Sequence, residues 1–308
     1  MRHNPVSLLC MAWLVLAGPA AAVDVQDAHD RAVSVTDASR IVSIGGPVTE
    51  ILYALGVGDN VIARDTTSVF PAQALEKPDV GYMRALSAEG VLSLEPTLVL
   101  AVDGSGPQDV IEQLEGAQVA FVNIPDSPSP QGVADKIRAV ALAVGKVAEG
   151  EQLAQAVLAD FAALDEALSN VDKPARAIFV LGITSGSPMI GGTGTSADGV
   201  LKLARAENVL SDMNGFKPGS PEAILTAQPD VVVTMNSQAH GLTKLSENPV
   251  FAATPAGQNE RVIGMDGSYL LGFGPRAAHA VRDLAASLYP DINIPQLPDR
   301  PWVGPIAE

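Results

Sequence analysis

Apolar residues along this chain follow two alternating periods. Short β-branched runs recur at Ile41-Val42-Ser43-Ile44, Val61-Ile62-Ala63, Thr97-Leu98-Val99-Leu100 and Val119 to Ile124. Each reads as a strand. Stretches with helical spacing lie between or after them. Pro47-Val48-Thr49-Glu50 opens one that runs through Ile51, Leu52 and Leu55 to Gly56, and Ser129-Pro130 opens another carrying Val133, Ile137 and Val140. The grammar resumes after Pro174, with strands expected at Ala177 to Leu181, Asp230 to Met235 and Arg261 to Met265. Strand alternating with helix predicts an α/β fold with mostly parallel central sheets covered by helices.

One long helical stripe separates the two sets. Leu153, Val157, Phe161, Leu164, Leu168 and Val171 recur at steps of three and four, with no proline or glycine after Gly150. At 1.5 Å per residue such a helix is roughly 30 Å long. The pattern predicts two α/β lobes, 23–148 and 173–308, joined by one rigid helix over 149–172. A surface helix of a single domain would carry the same stripe. A repeat supports the two lobes: Ser87-Ala88-Glu89, Leu92, Pro96 and Val99 match Ser220-Pro221-Glu222, Leu225, Pro229 and Val232 at identical separations. Serine in each copy suits an N-cap, and glutamate falls in the first turn. Local chemistry alone explains both glutamates as partners of their helix dipoles. Their equivalence also suits a two-fold partner with two basic pockets.

The first residues change the picture of where the chain works. Arg2 precedes an apolar run from Val6 to Leu16, and Ala20-Ala21-Ala22 makes a small-residue cleavage site. Residues 1–22 therefore read as a secretory signal peptide. The apolar run is short for a membrane anchor, which needs about 20 apolar residues. Cys10, the only cysteine, lies inside that run, so the exported chain has no disulfide framework and no thiolate chemistry. A formal net charge of −16 argues against nucleic acid or an anionic membrane surface as partner. A soluble periplasmic monomer without stable membrane insertion is expected.

Four segments now gain meaning together: RIVSIGGPVTEILYALGVGDNVIARDTTS, PDVGYMRALSAEGVLSLEPTLVL, SPEAILTAQPDVVV and LLGFGPRAAHAV. They resemble the periplasmic haem-binding proteins that serve bacterial haem ABC importers. GYMRALSAEG is the most specific part, and the likeness runs through nearly the whole exported chain. The resemblance implies a ligand cleft between the lobes and haem b as the transported ligand. It also implies docking of Glu89 and Glu222 on an inner-membrane ABC permease dimer with its ATPase. It further implies that Tyr82 is the axial iron ligand and that Arg84 supports it. A phenol keeps its proton at neutral pH, so a phenolate ligand needs Fe(III) and a nearby cation. Residues two apart in an extended segment share a side, which would bring Arg84 to the Tyr82 oxygen.

Other positions depart from the family pattern or carry less. Relatives that stack two haems use a second-lobe histidine near the strand that here reads FVLGITSGSP, where Thr184 and Ser185 stand. One haem per chain is therefore expected. Where relatives place an arginine within reach of a propionate, this chain has Ser237, Gln238 and His240. His240 is a candidate propionate contact or sixth iron ligand, and as a lone loop histidine it also fits a solvated, inert role. Arg64, beside DTTS, is a further propionate candidate. Gly191 to Gly199 resembles a phosphate loop but lacks its Lys-Ser/Thr ending. It reads either as a helix start whose Thr195 and Ser196 backbone N–H groups meet a carboxylate, or as a plain start capped by Ser196. Tyr269 and Arg276 are weak candidates for the cleft border.

Competing functions find less support. Only His29, His240 and His279 remain after the leader, too few for a zinc or manganese carrier. His29 is expected in the flexible start of the chain. No serine has a nucleophile-elbow surround, and no haem-degrading acid–base set is evident, so a non-enzyme is expected. A cobalamin or ferric-siderophore carrier of the same transporter class is the alternative. Such carriers line their clefts with tryptophan, whereas the exported chain has only Trp302, in its proline-rich tail.

Overall fold

The computed structural model describes residues 22–184, 187–236, 245 and 248–304. The first lobe is built on four parallel strands in the order β4-β3-β5-β6. β3 (Ile41–Ile44) and β5 (Leu98–Val102) are buried along their whole length, as expected of strands covered on both faces. β4 (Val61–Arg64) closes one edge and alternates buried with half-buried residues, while β6 (Ala120–Ile124) closes the other. Helix α1 (Gly46–Ala54) follows β3, and α4 (Pro130–Ala143), capped by Ser129, follows β6.

A hairpin of β1 (Val23–Gln26) and β2 (Ala32–Val35) precedes this sheet, antiparallel and unforeseen in the sequence. Only Val25 and Val35 of its valines are fully buried, too little apolar patterning to stand out.

The second lobe's sheet has a parallel centre, as expected, and adds an antiparallel edge. β7 (Arg176–Thr184) pairs in parallel with β11 (Val231–Met235), which pairs in parallel with β12 (Val262–Met265). On its other side, β7 turns back antiparallel into β8 (Ser187–Gly191), and β10 (Phe216–Pro218) extends that antiparallel edge. The strand runs on past Leu181, the end expected from the sequence, to Thr184, and β8 pairs back along it.

Helix α5 (Val147–Ala167) joins the lobes. Leu153, Val157, Phe161, Leu164 and Leu168 of the expected stripe are buried and Val171 partly so, confirming the face read from spacing. A 3-10 turn, Leu168–Asn170, ends it. α5 packs on α4 at Gly150, where an added Cβ would lie 2.1 Å from the Cβ of Ala141. No helix of the described residues is long and apolar enough to cross a membrane.

Beyond α5, three polar contacts close the seam. Arg276, at the start of the helix Ala277–Leu288, donates from Nε and Nη2 to Glu50 of α1 at 3.0 and 2.5 Å. Lys136 of α4, fully buried, donates to the Phe273 carbonyl at 3.1 Å and to Asp126 at 2.5 Å. Arg300 in the C-terminal tail grips Asp160 of α5 with two hydrogen bonds, 3.0 and 2.6 Å.

The Gly150 contact leaves no room for a methyl group. Gly150→Ala should therefore destabilise the protein by about 1–3 kcal/mol through overpacking, read as a lower midpoint in urea with an unchanged slope.

Candidate functional site

The carboxyl ends of β3, β4, β5 and β6 share one edge of the first sheet, the edge where parallel α/β sheets hold ligands. The Tyr82 segment is suspended there between two loops. Residues 78–81 run beside the end of β4, with Arg64 N donating to Pro78 O, Val80 N to Arg64 O and Thr66 N to Gly81 O. Gly81 then takes φ +97°, a left-handed value that favours glycine. A four-residue turn follows, closed by Ala85 N on Tyr82 O at 2.7 Å. Its far side is tied to the loop after β5 by Gly106 N on Met83 O and Leu86 N on Gly106 O.

This turn sorts its side chains. Met83 and Leu86 go into the core, while Tyr82 stays 44% exposed and Arg84 lies outside with it. Arg84 Nη1 donates to the Tyr82 hydroxyl at 2.8 Å. The contact arises across a turn and not through the extended alternation expected from the sequence. The physical reason is that the buried Met83 pins the middle of the segment inward.

Asp79 organises the approach. Its Oδ1 accepts from Gly81 N at 2.7 Å, and its Oδ2 lies 3.1 Å from Arg64 Nη1. Arg64 also donates to the Asp65 carbonyl at 3.0 Å. Its charge is thus already met by a carboxylate, a partner its place beside DTTS did not reveal. Asp65 is fully buried and accepts from Gly45 N, Thr67 N and the hydroxyls of Thr67 and Ser68, which locks DTTS against the β3–α1 turn.

The remaining sequence candidates are more scattered. Thr195, and not Ser196, caps α6 (Ser196–Leu203): its hydroxyl accepts from Asp198 N at 3.1 Å and donates to Gly192 O at 2.8 Å. That buried hydroxyl is committed to the helix start, and Ser196 is the first helical residue. Ser87 and Ser220 cap α2 (Ala88–Leu92) and α7 (Pro221–Ala227), as their spacing predicts, leaving Glu89 and Glu222 exposed in equivalent first turns. Arg276 and Tyr269 do not border an open cleft. Both are buried at the seam, where Arg276 meets Glu50 and Tyr269 donates to Asp283 at 2.9 Å. Burial pushes the Tyr269 phenol well above its usual range. It also pushes the Glu50 carboxyl up, opposed by the hydrogen bonds from Arg276.

His240, Ser185, Ser237 and Gln238 lie outside the described residues. His29 is tethered rather than loose: Nε2 lies 3.1 Å from Asp103 Oδ1, and Nδ1 lies 3.2 Å from Asn123 Nδ2. Among the described residues no three or more His, Cys, Asp or Glu side chains converge on a metal position. Sequence reasoning missed Asp79 and Asp65; the Asx-type spacing of Asp79 to Gly81 was the available signal.

Residues 41–269 match the family model described as periplasmic binding protein. The chain belongs to that family. As a periplasmic binding protein it is the substrate-binding part of an ABC importer, as are the transport proteins it resembles. It is similar to the solved apo structure of the periplasmic heme-binding protein RhuT from Roseiflexus sp. RS-1. The two share 36% identity and a TM-score of 0.79, over 83% of this chain and all of that one (100%). It is also 30% identical, over 87% of its length and 86% of the relative's, to an ABC transporter substrate-binding lipoprotein, YvrC, of Bacillus subtilis. A vitamin B12-binding protein of Photorhabdus laumondii is 27% identical over 81% of this chain and 87% of its own.

Removing the Asp79 carboxylate in Asp79→Ala deprives Gly81 N of its acceptor and Arg64 of its counter-charge, leaving Arg64 the Asp65 carbonyl alone. The expected cost is about 0.5–1.5 kcal/mol, since Asp79 is exposed and water screens its pairing. Amide exchange should quicken across residues 78–86 while the central strands keep their protection.

Proposed function

We propose that this periplasmic binding protein carries haem, held by a bond from the Tyr82 phenolate to ferric iron in the cleft between its lobes. The observation that carries the reading is the exposed Tyr82 hydroxyl with the Arg84 guanidinium 2.8 Å away, on a turn fixed from both sides. A hard oxygen donor suits Fe(III), and a neighbouring cation favours the phenolate. The likeness to a haem-binding protein supports the choice of cargo. One haem per chain follows, because Thr184 and Ser185 stand where relatives that stack two haems have a second-lobe histidine.

Two kinds of interaction divide the work of binding. Burying on the order of 500 Å² of porphyrin contributes roughly 12 kcal/mol. Association itself costs an estimated ~4–15 kcal/mol. The iron bond and polar contacts to the propionates then decide affinity and discriminate against iron-free porphyrin. Arg84 is the nearest cation to Tyr82, His240 remains the candidate beyond β11, and Arg64 could serve only by loosening its hold on Asp79. The leader 1–22 delivers the chain to the periplasm. There it works as a monomer whose lobes, 23–148 and 173–308, presents Glu89 and Glu222 to the two halves of the permease, and the ATPase drives release.

A vitamin B12 cargo is the second reading, favoured by the Photorhabdus relative. It requires no tyrosine–iron bond, so one titration separates the two. Ferric haem added to the leader-free protein should give a one-to-one endpoint and a phenolate-type visible spectrum. In Tyr82→Phe that spectrum should vanish, and in Arg84→Ala affinity should fall about 10- to 100-fold, the worth of a charged hydrogen bond. Saturable cobalamin binding with no haem spectrum would establish the second reading instead.

Docking is tested separately. The double charge reversal Glu89→Lys with Glu222→Lys should abolish importer-dependent uptake and leave the haem titration unchanged; retained uptake would end the docking proposal.

A further inference from the structure

Away from the Tyr82 edge, a groove of about 830 Å³ opens between the first lobe and the C-terminal tail. One wall comes from the end of α1, the 3-10 turn Gly58–Asn60 and the segment Phe70 to Lys77; the other is Pro301 to Gly304. Three aromatic side chains line it: Tyr53, Phe70 and Trp302. The walls are shaped to present these rings. A Cβ on Gly58 would lie 2.5 Å from the Tyr53 ring, and one on Gly304 would lie 3.1 Å from the Phe70 ring.

The charge around these rings is acidic. Asp59 and Glu76 line the groove as exposed carboxylates against one cation, Lys77, while Glu50 is already neutralised by Arg276. Both carboxylates act on Tyr53, whose phenol is pushed up by burial first and then by Glu76 and Asp59. The Tyr53 hydroxyl is also shielded from solvent and finds no hydrogen-bond partner among the described residues, which marks this wall as incompletely satisfied.

The same rings already receive cations from within the chain. The Arg276 guanidinium lies 3.7 Å from the Phe70 centroid and is paired with Glu50. That of Arg300 lies 5.7 Å from the Trp302 centroid and is paired with Asp160. An aromatic face beside a carboxylate is the chemistry that selects amidinium, guanidinium and amine groups on flat or apolar bodies. We infer that this groove is a second ligand site, distinct from the cargo cleft, for a small organic cation. The cation lies among the Tyr53, Phe70 and Trp302 rings, with Asp59 and Glu76 as its counter-charges. Apolar anions are excluded by the same two carboxylates. This inference rests on residues that the haem reading does not use.

Trp302 is the only tryptophan besides Trp13 of the leader, so it reports on the groove without labelling. The leader-free protein, without haem, is titrated with benzamidinium while tryptophan emission is followed. The expected result is a saturable change with a dissociation constant in the millimolar range or tighter, together with a rise in thermal midpoint at saturation. In Asp59→Asn with Glu76→Gln, affinity should fall at least about tenfold, and neutral benzamide should give no saturable response. Both substituted side chains are exposed, and the double variant's own unfolding midpoint verifies that it folds. No saturable response to benzamidinium, an equal response to benzamide, or an unchanged dissociation constant in the double variant would each overturn the site.

Discussion

The contact between Arg276 and Glu50 stands where the two lobes meet, and both ends of it are buried. Taking two charges out of water costs several kcal/mol per ion, which only good geometry and further partners offset. Here the guanidinium makes two hydrogen bonds to one carboxylate and stacks on Phe70. Gly274 leaves the room, since a Cβ there would lie 2.9 Å from Glu50 Oε2. The pair therefore fixes a direction as well as a distance between the α1 of one lobe and the last long helix of the other. Lys136 adds a second fixed point by reaching the Phe273 carbonyl.

The first lobe holds a tyrosine outward on a turn whose flanks are tied by backbone hydrogen bonds to the end of β4 and to the loops after β4 and β5, at Arg64, Thr66 and Gly106. Rigid presentation matters because a ligand that must be bound and released gains selectivity from a donor already in place. A tyrosine on a loose loop would give up part of its binding energy to ordering that loop.

Much of this was legible in the residues themselves. β3 and β5 announced themselves as short, largely apolar β-branched runs, the stripe from Leu153 to Leu168 set the buried face of α5, and the serines before Glu89 and Glu222 marked two matching helix starts. The long-range polar contacts were not legible. Glu50 and Arg276 are 226 positions apart, and Lys136 reaches a carbonyl 137 positions away, so no local pattern marks either as buried. The Tyr82–Arg84 contact was anticipated for a different geometry. Side-chain alternation assumes a strand, and only the burial of Met83 shows that the segment turns. The reversal of β7 into β8 escaped for a related reason: small residues serve equally well in a strand end, a hairpin or a loop.

The grip of Arg300 on Asp160 has a consequence for the order in which the molecule is completed. Asp160 sits in the middle of the joining helix with its carboxylate almost wholly shut away, and its partner lies 140 positions later. A polypeptide emerging from its N-terminus delivers the acid long before the base. Until the last stretch arrives, that carboxylate lacks the guanidinium that pairs with it. A chain that stops before Arg300 keeps the acid without its base, so closure of this contact waits for the last residues made.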